Sequence, residues 1–125
     1  MRKVTMELTE RQLQVMMQAL DAYCRLGLGQ LRYACENLAL QNRNDEDWER
    51  VEARFKATMC PNHPLPGHGS LGISNRLVPE DAKIARDLHH TMMHKRGSNI
   101  NQGWNVYSSD EIQFSQEPKA KIEVL

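Results

Sequence analysis

The sequence predicts an α+β domain, with about four helices packed on a small antiparallel sheet. Three patterns carry that expectation. Apolar residues recur at spacings of three and four in four segments, apolar and polar residues alternate at residues 3–8, and they alternate again in three short runs after residue 103. The first pattern is the period of an amphipathic helix, and the other two have the period of a half-buried strand.

In chain order, Val4, Met6 and Leu8 alternate with Lys3, Thr5 and Glu7, which reads as the first strand. Thr9-Glu10-Arg11-Gln12 matches a capping box, so a helix opens at Thr9. Leu13, Met16, Met17, Leu20 and Cys24 fall on one face of it, and Gly27 is expected to end it. A shorter helix from about Gly29 or Gln30 carries Leu28, Leu31, Cys35 and Leu38. The corner Gly27-Leu28-Gly29-Gln30, flanked by Arg25, Arg32 and Tyr33, reads as a tight helix–helix turn. Asp45 suits the N-cap of a third helix, with Trp48, Val51, Phe55 and Met59 as its stripe.

Residues 60–78 contain Pro61, Pro64, Pro66, Gly67, Gly69 and Gly72, too many breakers for a helix or a central strand. Pro79, Glu80 and Asp81 suit the first turn of a fourth helix, which Gly97 ends. Ile84, Leu88 and Met92 form its stripe. Three terminal strands are expected, at Trp104 and Val106, at Ile112 and Phe114, and at Ala120, Ile122 and Val124, pairing with the first strand. The core expected from these patterns comprises Val4, Met6, Leu13, Met17, Leu20, Trp48, Val51, Phe55, Ile84, Leu88 and Val106.

The 125 residues suit one domain, 1–125, and 40% are apolar, enough for one core. Sixteen basic and sixteen acidic residues cancel, so no whole-molecule attraction to nucleic acid or to an anionic membrane is expected. No apolar run reaches the roughly 20 residues of a membrane helix, and no apolar signal segment follows Met1. Cys24, Cys35 and Cys60 are odd in number and have no paired spacing, which fits reduced thiols in a cytoplasm.

Two groups of residues invite a chemical reading. Residues 67–76 combine small residues with Ser70, Ser74 and Arg76. Gly67-His68-Gly69-Ser70-Leu71-Gly72 has the letters of a dinucleotide fingerprint, but prolines rather than a strand precede it, so a dinucleotide fold is rejected. Exposed backbone N–H groups at Gly69 and Gly72, hydroxyls at Ser70 and Ser74, the Arg76 guanidinium and His68 suit a phosphate or carboxylate, and Trp104 suits stacking on a base. The alternative is an ordered connector. The second group is Cys60, His63, His90 and His94. A C-x-x-H pair and two histidines four apart on a helix offer four donors for zinc. The H-x-x-x-H lacks the internal glutamate of a metalloprotease, so neither stoichiometric zinc nor any other cofactor is expected.

The run Val4-Thr5-Met6-Glu7-Leu8-Thr9-Glu10-Arg11-Gln12, continued by Ala19-Leu20-Asp21-Ala22-Tyr23 and Gly27-Leu28-Gly29-Gln30, resembles a family of small uncharacterised proteins of tailed bacteriophages and prophages. Ser70-Leu71-Gly72-Ile73, Val78-Pro79-Glu80-Asp81-Ala82-Lys83, Glu117-Pro118 and Ile122-Glu123 extend the resemblance over most of the chain. It implies a phage protein acting in the host bacterial cytoplasm. The expected function is that of a non-enzymatic accessory protein, a homo-oligomer that sequesters a small nucleotide-type host defence signal. The alternatives are a protein-binding inhibitor of a host factor and a metal-dependent hydrolase using the histidines.

Overall fold

The structure, a computed structural model, describes residues 2–35, 45–65, 69–99 and 112–123. Among them the regular structure is helical: α1 (Glu10–Leu28), α2 (Leu31–Ala34), α3 (Asp45–Met59) and α4 (Glu80–Asn99). This corrects the expected α+β fold, because no sheet forms among the described residues. Residues 2–9, 112–115 and 120–123 belong to no strand. A strand requires a neighbouring backbone to pair with, and alternation supplies only a suitable surface. The expected strand at Trp104 and Val106 lies outside the described residues, as do Leu38 and Val124.

α1 begins as its sequence dictates. The Gln12 N–H donates to Thr9 Oγ1 at 3.1 Å, and the Thr9 N–H donates to Gln12 Oε1 at 2.8 Å. Such a cap is worth about 1 kcal/mol. The helix runs through Gly27 and stops two residues later than expected. Gly29 takes the left-handed conformation at φ 88°, its N–H donates to the Leu26 carbonyl, and the Gln30 N–H donates to the Arg25 carbonyl. These two bonds are a Schellman ending. Gly27 serves a different purpose: a Cβ there would lie 2.5 Å from the Ala82 Cβ. Its bare Cα lets the first turn of α4 press against α1.

That approach builds the main core. Cys24, Leu28, Leu71, Val78, Ala82 and Ala85 form one buried cluster, with Leu20 and Ile73 packed on it. The expected core is revised elsewhere. Val4, Met6 and Val51 are exposed, and Leu13, Phe55, Ile84 and Leu88 are half-buried. On α3 the inward row is Trp48, Glu52 and Lys56 instead of Trp48, Val51, Phe55 and Met59. On α4 it includes Asp87 and Thr91 beside Ala82, Ala85 and Met92. Two of these buried charges, Lys56 and Asp87, bind the backbone of irregular segments. No described helix is long and apolar enough to cross a membrane.

Candidate functional site

The segment from Gly69 to Val78 is anchored rather than open. The Leu71 N–H donates to the Leu28 carbonyl at 2.9 Å, seating the loop on the end of α1. Asn75 turns the chain: its N–H donates to the Gly72 carbonyl, and its Oδ1 accepts from the Leu77 N–H. Leu71 and Val78 point inward, Ile73 is half-buried, and Ser70, Gly72, Ser74 and Arg76 face out. Gly72 has open space where a side chain would be. Arg76 makes no ion pair among the described residues. The loop therefore gathers Ser70, Gly72, Ser74 and Arg76 on one stretch without another element closing over Gly72, Ser74 and Arg76. Gly69 is half-buried, its carbonyl bound by Lys56. His68 and Trp104 lie outside the described residues.

The other half of this loop is held by a buried cation. Lys56 Nζ donates to the Leu65 carbonyl at 3.1 Å and to the Gly69 carbonyl. Burial lowers the Lys56 pKa, while the Glu52 and Cys60 charges oppose that shift. His63 stands beside it. Its Nδ1 faces the Leu65 carbonyl at 2.9 Å and the Leu65 N–H at 3.2 Å, and its buried Nε2 has no hydrogen-bond partner among the described residues. A Cβ on Gly29 would come within 3.0 Å of both Lys56 Nζ and His63 Nε2, so the end of α1 closes directly over this pair.

The four candidate zinc ligands do not assemble. Cys60 and His63 follow α3, whereas His90 and His94 lie on α4, and α3 and α4 make no contact. Among the described residues no three histidine, cysteine or acidic side chains come together to hold a metal. The cysteines are free thiols, and burial pushes the Cys24 thiol pKa up.

A polar cluster of which the sequence showed only the corner at residues 25–33 lies along the seam between α1 and α4. Arg25 reaches Asp21 through Nε at 3.4 Å, and its Nη1 donates to Gln30 Oε1 at 2.7 Å. Its guanidinium lies 5.5 Å from the Tyr33 ring centroid. Gln30 Nε2 donates in turn to Ser70 Oγ at 3.4 Å, which ties one expected site residue into this cluster. Arg86 comes from α4. Its Nη1 donates to the Ile112 carbonyl at 2.9 Å, and it stacks 4.6 Å from the Phe114 centroid. The charges of Arg25 and Arg86 both reach His89, a half-buried imidazole. Burial lowers the His89 pKa first, with His90, Arg25 and Arg86 adding to the shift and Asp21 opposing it.

The seam is roofed by residues 112–116. Asp87, 4% exposed, accepts the Phe114 and Ser115 N–H groups and the Ser115 hydroxyl. Glu80 Oε1 accepts the Gln116 N–H at 2.6 Å. The available sequence signal was a run of charge and imidazole on α4, Arg86-Asp87-Leu88-His89-His90, interrupting its apolar stripe at the level of Asp21 and Arg25. Comparison with protein-family models, with curated protein sequences and with solved structures finds no match.

Proposed function

We propose that this protein is a non-enzymatic binder of a small phosphate-bearing, nucleotide-type ligand, with the anion held at the α1–α4 seam. One observation carries the reading: a guanidinium from α1 and a guanidinium from α4 each lie against an aromatic ring, Arg25 at 5.5 Å from the Tyr33 centroid and Arg86 at 4.6 Å from the Phe114 centroid. A guanidinium has five N–H donors. Two atoms of Arg25 are engaged, with Asp21 and Gln30. Arg86 spends one bond on Ile112 and sits 3.8 Å from an Asp87 whose oxygens already serve Phe114 and Ser115. Donor capacity remains on both, and Arg–phosphate contacts are naturally bidentate. Tyr33, about half exposed, offers a face for a base.

Ser70 joins this site through Gln30, so the expected loop contributes at its edge. The resemblance to phage proteins supports sequestration of a host defence signal as the purpose of such binding.

A thermal-shift screen of cyclic dinucleotides, cyclic trinucleotides, ADP-ribose and inorganic phosphate tests the reading. A stabilising ligand is expected, and Arg86→Gln is expected to weaken it about ten- to a hundredfold, the worth of one charge-assisted contact at about 1.5–3 kcal/mol. Arg76→Ala is the control for a site on the outer loop and is expected to bind normally. If none of these compounds stabilises the protein, or if Arg76→Ala loses binding while Arg86→Gln keeps it, the seam is not the site.

A further inference from the structure

The N-terminal segment has the composition of a strand but no partner in its own chain. Val4 is 77% exposed and Met6 64%, although they alternate with Lys3, Thr5 and Glu7. Among the described residues the backbone groups of residues 2–8 make no hydrogen bond within the chain. An unpaired backbone beside alternating side chains is a template for pairing with another chain.

The segment is also complementary to itself. In an antiparallel pair, side chains directly opposite each other lie on the same face of the ribbon. Placing Thr5 opposite Thr5 of a second copy sets Lys3 against Glu7 twice, once on each side of the two-fold axis. It also sets Val4 against Met6 twice on the other face, with Arg2 opposite Leu8 at the two ends of the ribbon. Moving the axis by one residue, to Val4 or to Met6, opposes no charges within the segment, and about Val4 it sets Arg2 against Met6. The register centred on Thr5 alone combines two opposite-charge pairs with an apolar row across residues 3–7. Opposite-charge and Thr–Thr pairs are among those that favour a ribbon, and a shared two-fold axis is the usual symmetry of a dimer.

A two-stranded ribbon is marginal by itself, so it needs further apolar surface. α1 supplies it on the face away from α4, where Val15, Tyr23 and Leu26 are all exposed at spacings of eight and three.

We infer that residues 2–8 form an interface with a second copy of this chain, an antiparallel two-stranded ribbon centred on Thr5 and supported by the outer face of α1. The ribbon belongs to the dimer; within one chain the regular structure among the described residues is helical. The inference is independent of the ligand reading, because it rests on residues 2–8 with Val15, Tyr23 and Leu26 and uses none of the residues assigned to the ligand.

Sedimentation equilibrium of the full chain at low salt tests it. The expected species is a reversible dimer of twice 14.4 kDa. Lys3→Glu and Glu7→Lys, each alone, place like charges opposite one another and are expected to raise the dimer dissociation constant about tenfold or more. Mixing the two single variants restores every attractive pair, so a heterodimer is expected to recover wild-type affinity. The doubly exchanged chain is expected to recover it as well. Both positions are exposed and lie outside the helices, so far-UV circular dichroism serves as a folding control. A wild-type monomer at all concentrations, single variants that dimerise like wild type, or a mixture that fails to recover would each overturn the inference.

Discussion

Lys56 and Asp87 do the same work with opposite charge. Each is almost fully buried and collects backbone groups from a segment that belongs to no helix. Lys56 gathers the carbonyls of Leu65 and Gly69, and Asp87 gathers the N–H groups of Phe114 and Ser115. In a sheet these groups would pair with each other across strands. Here one buried side chain replaces the ladder, because buried backbone polar groups must be satisfied by something.

The two arrangements differ in strength and in cost. Asp87 takes three donors onto two oxygens and ties the strap of residues 114–115 to α4, the helix that brings Ala82 and Ala85 into the main core. Lys56 holds two acceptors at the end of a long flexible stem, on a helix whose helical neighbour among the described residues is the four-residue α2. Burial disfavours its charge. A short carboxylate at the centre of a rigid seam is therefore the firmer anchor.

The sharpest way to break the comparison is Asp87→Ala. It removes every acceptor that holds residues 114 and 115, and bonds to charged groups are worth about 1.5–3 kcal/mol each. Because the released strap is rehydrated, the expected loss is about 3 kcal/mol rather than the sum. Hydrogen exchange at the Phe114 and Ser115 amides is expected to accelerate strongly while the α1 amides stay protected. Unchanged protection at those amides would show that the strap is held by its Phe114 contact and not by the carboxylate.

Lys56→Met preserves the stem and removes the charge, leaving two carbonyls near enough to solvent to recruit water. The expected destabilisation is smaller, about 1–2 kcal/mol by urea denaturation. The pH dependence separates the two anchors further. The folded-state pKa of Lys56 lies below its ordinary 10.5, so just below that pH the unfolded chain binds more protons. Stability from this group therefore rises as pH rises toward 10.5. In Lys56→Met that alkaline gain is expected to vanish, whereas Asp87→Ala retains it.

The smallest effect concerns His89, half-buried on α4, whose pKa is lowered by burial and, further, by the charges of Arg25 and Arg86. Its folded-state pKa lies below 6.5, so the unfolded chain is the better proton acceptor just below pH 6.5. Stability is complete above that pH and is lost as pH falls through the interval beneath it. His89→Gln is expected to flatten the melting-temperature profile below pH 6.5 without changing it at pH 8. An unchanged slope would place the acid sensitivity elsewhere.

Half of the candidate seam was visible in the sequence as a corner. Arg25, Gln30 and Tyr33 flank Gly27 and Gly29, and they do converge there. Arg86 and His89 were not legible, because Arg86 finds Ile112 and Phe114 beyond its own helix and that helix was read for its apolar stripe. The zinc grouping failed for the complementary reason. Cys60 with His63, and His90 with His94, are each close in sequence, but nothing in the sequence brings the pairs together.

What the sequence by itself determined is what four neighbouring residues decide among themselves. Thr9 and Gln12 start α1 through bonds spanning three positions, and α3 and α4 begin within a residue of where Asp45 and Pro79 indicate. The proline- and glycine-rich stretch stays free of helix and strand where it is described. What only the tertiary structure decided is whether alternating residues become strands and which face of a helix turns inward. A strand is stabilised by another backbone far away in the chain, and residues 112–115 found the carboxylate of Asp87 instead. The same distance hid the buried charges. Glu52, Lys56 and Asp87 read as surface residues by type, and for Lys56 and Asp87 burial is tolerable because backbone groups 9 to 28 residues away complete their hydrogen bonds.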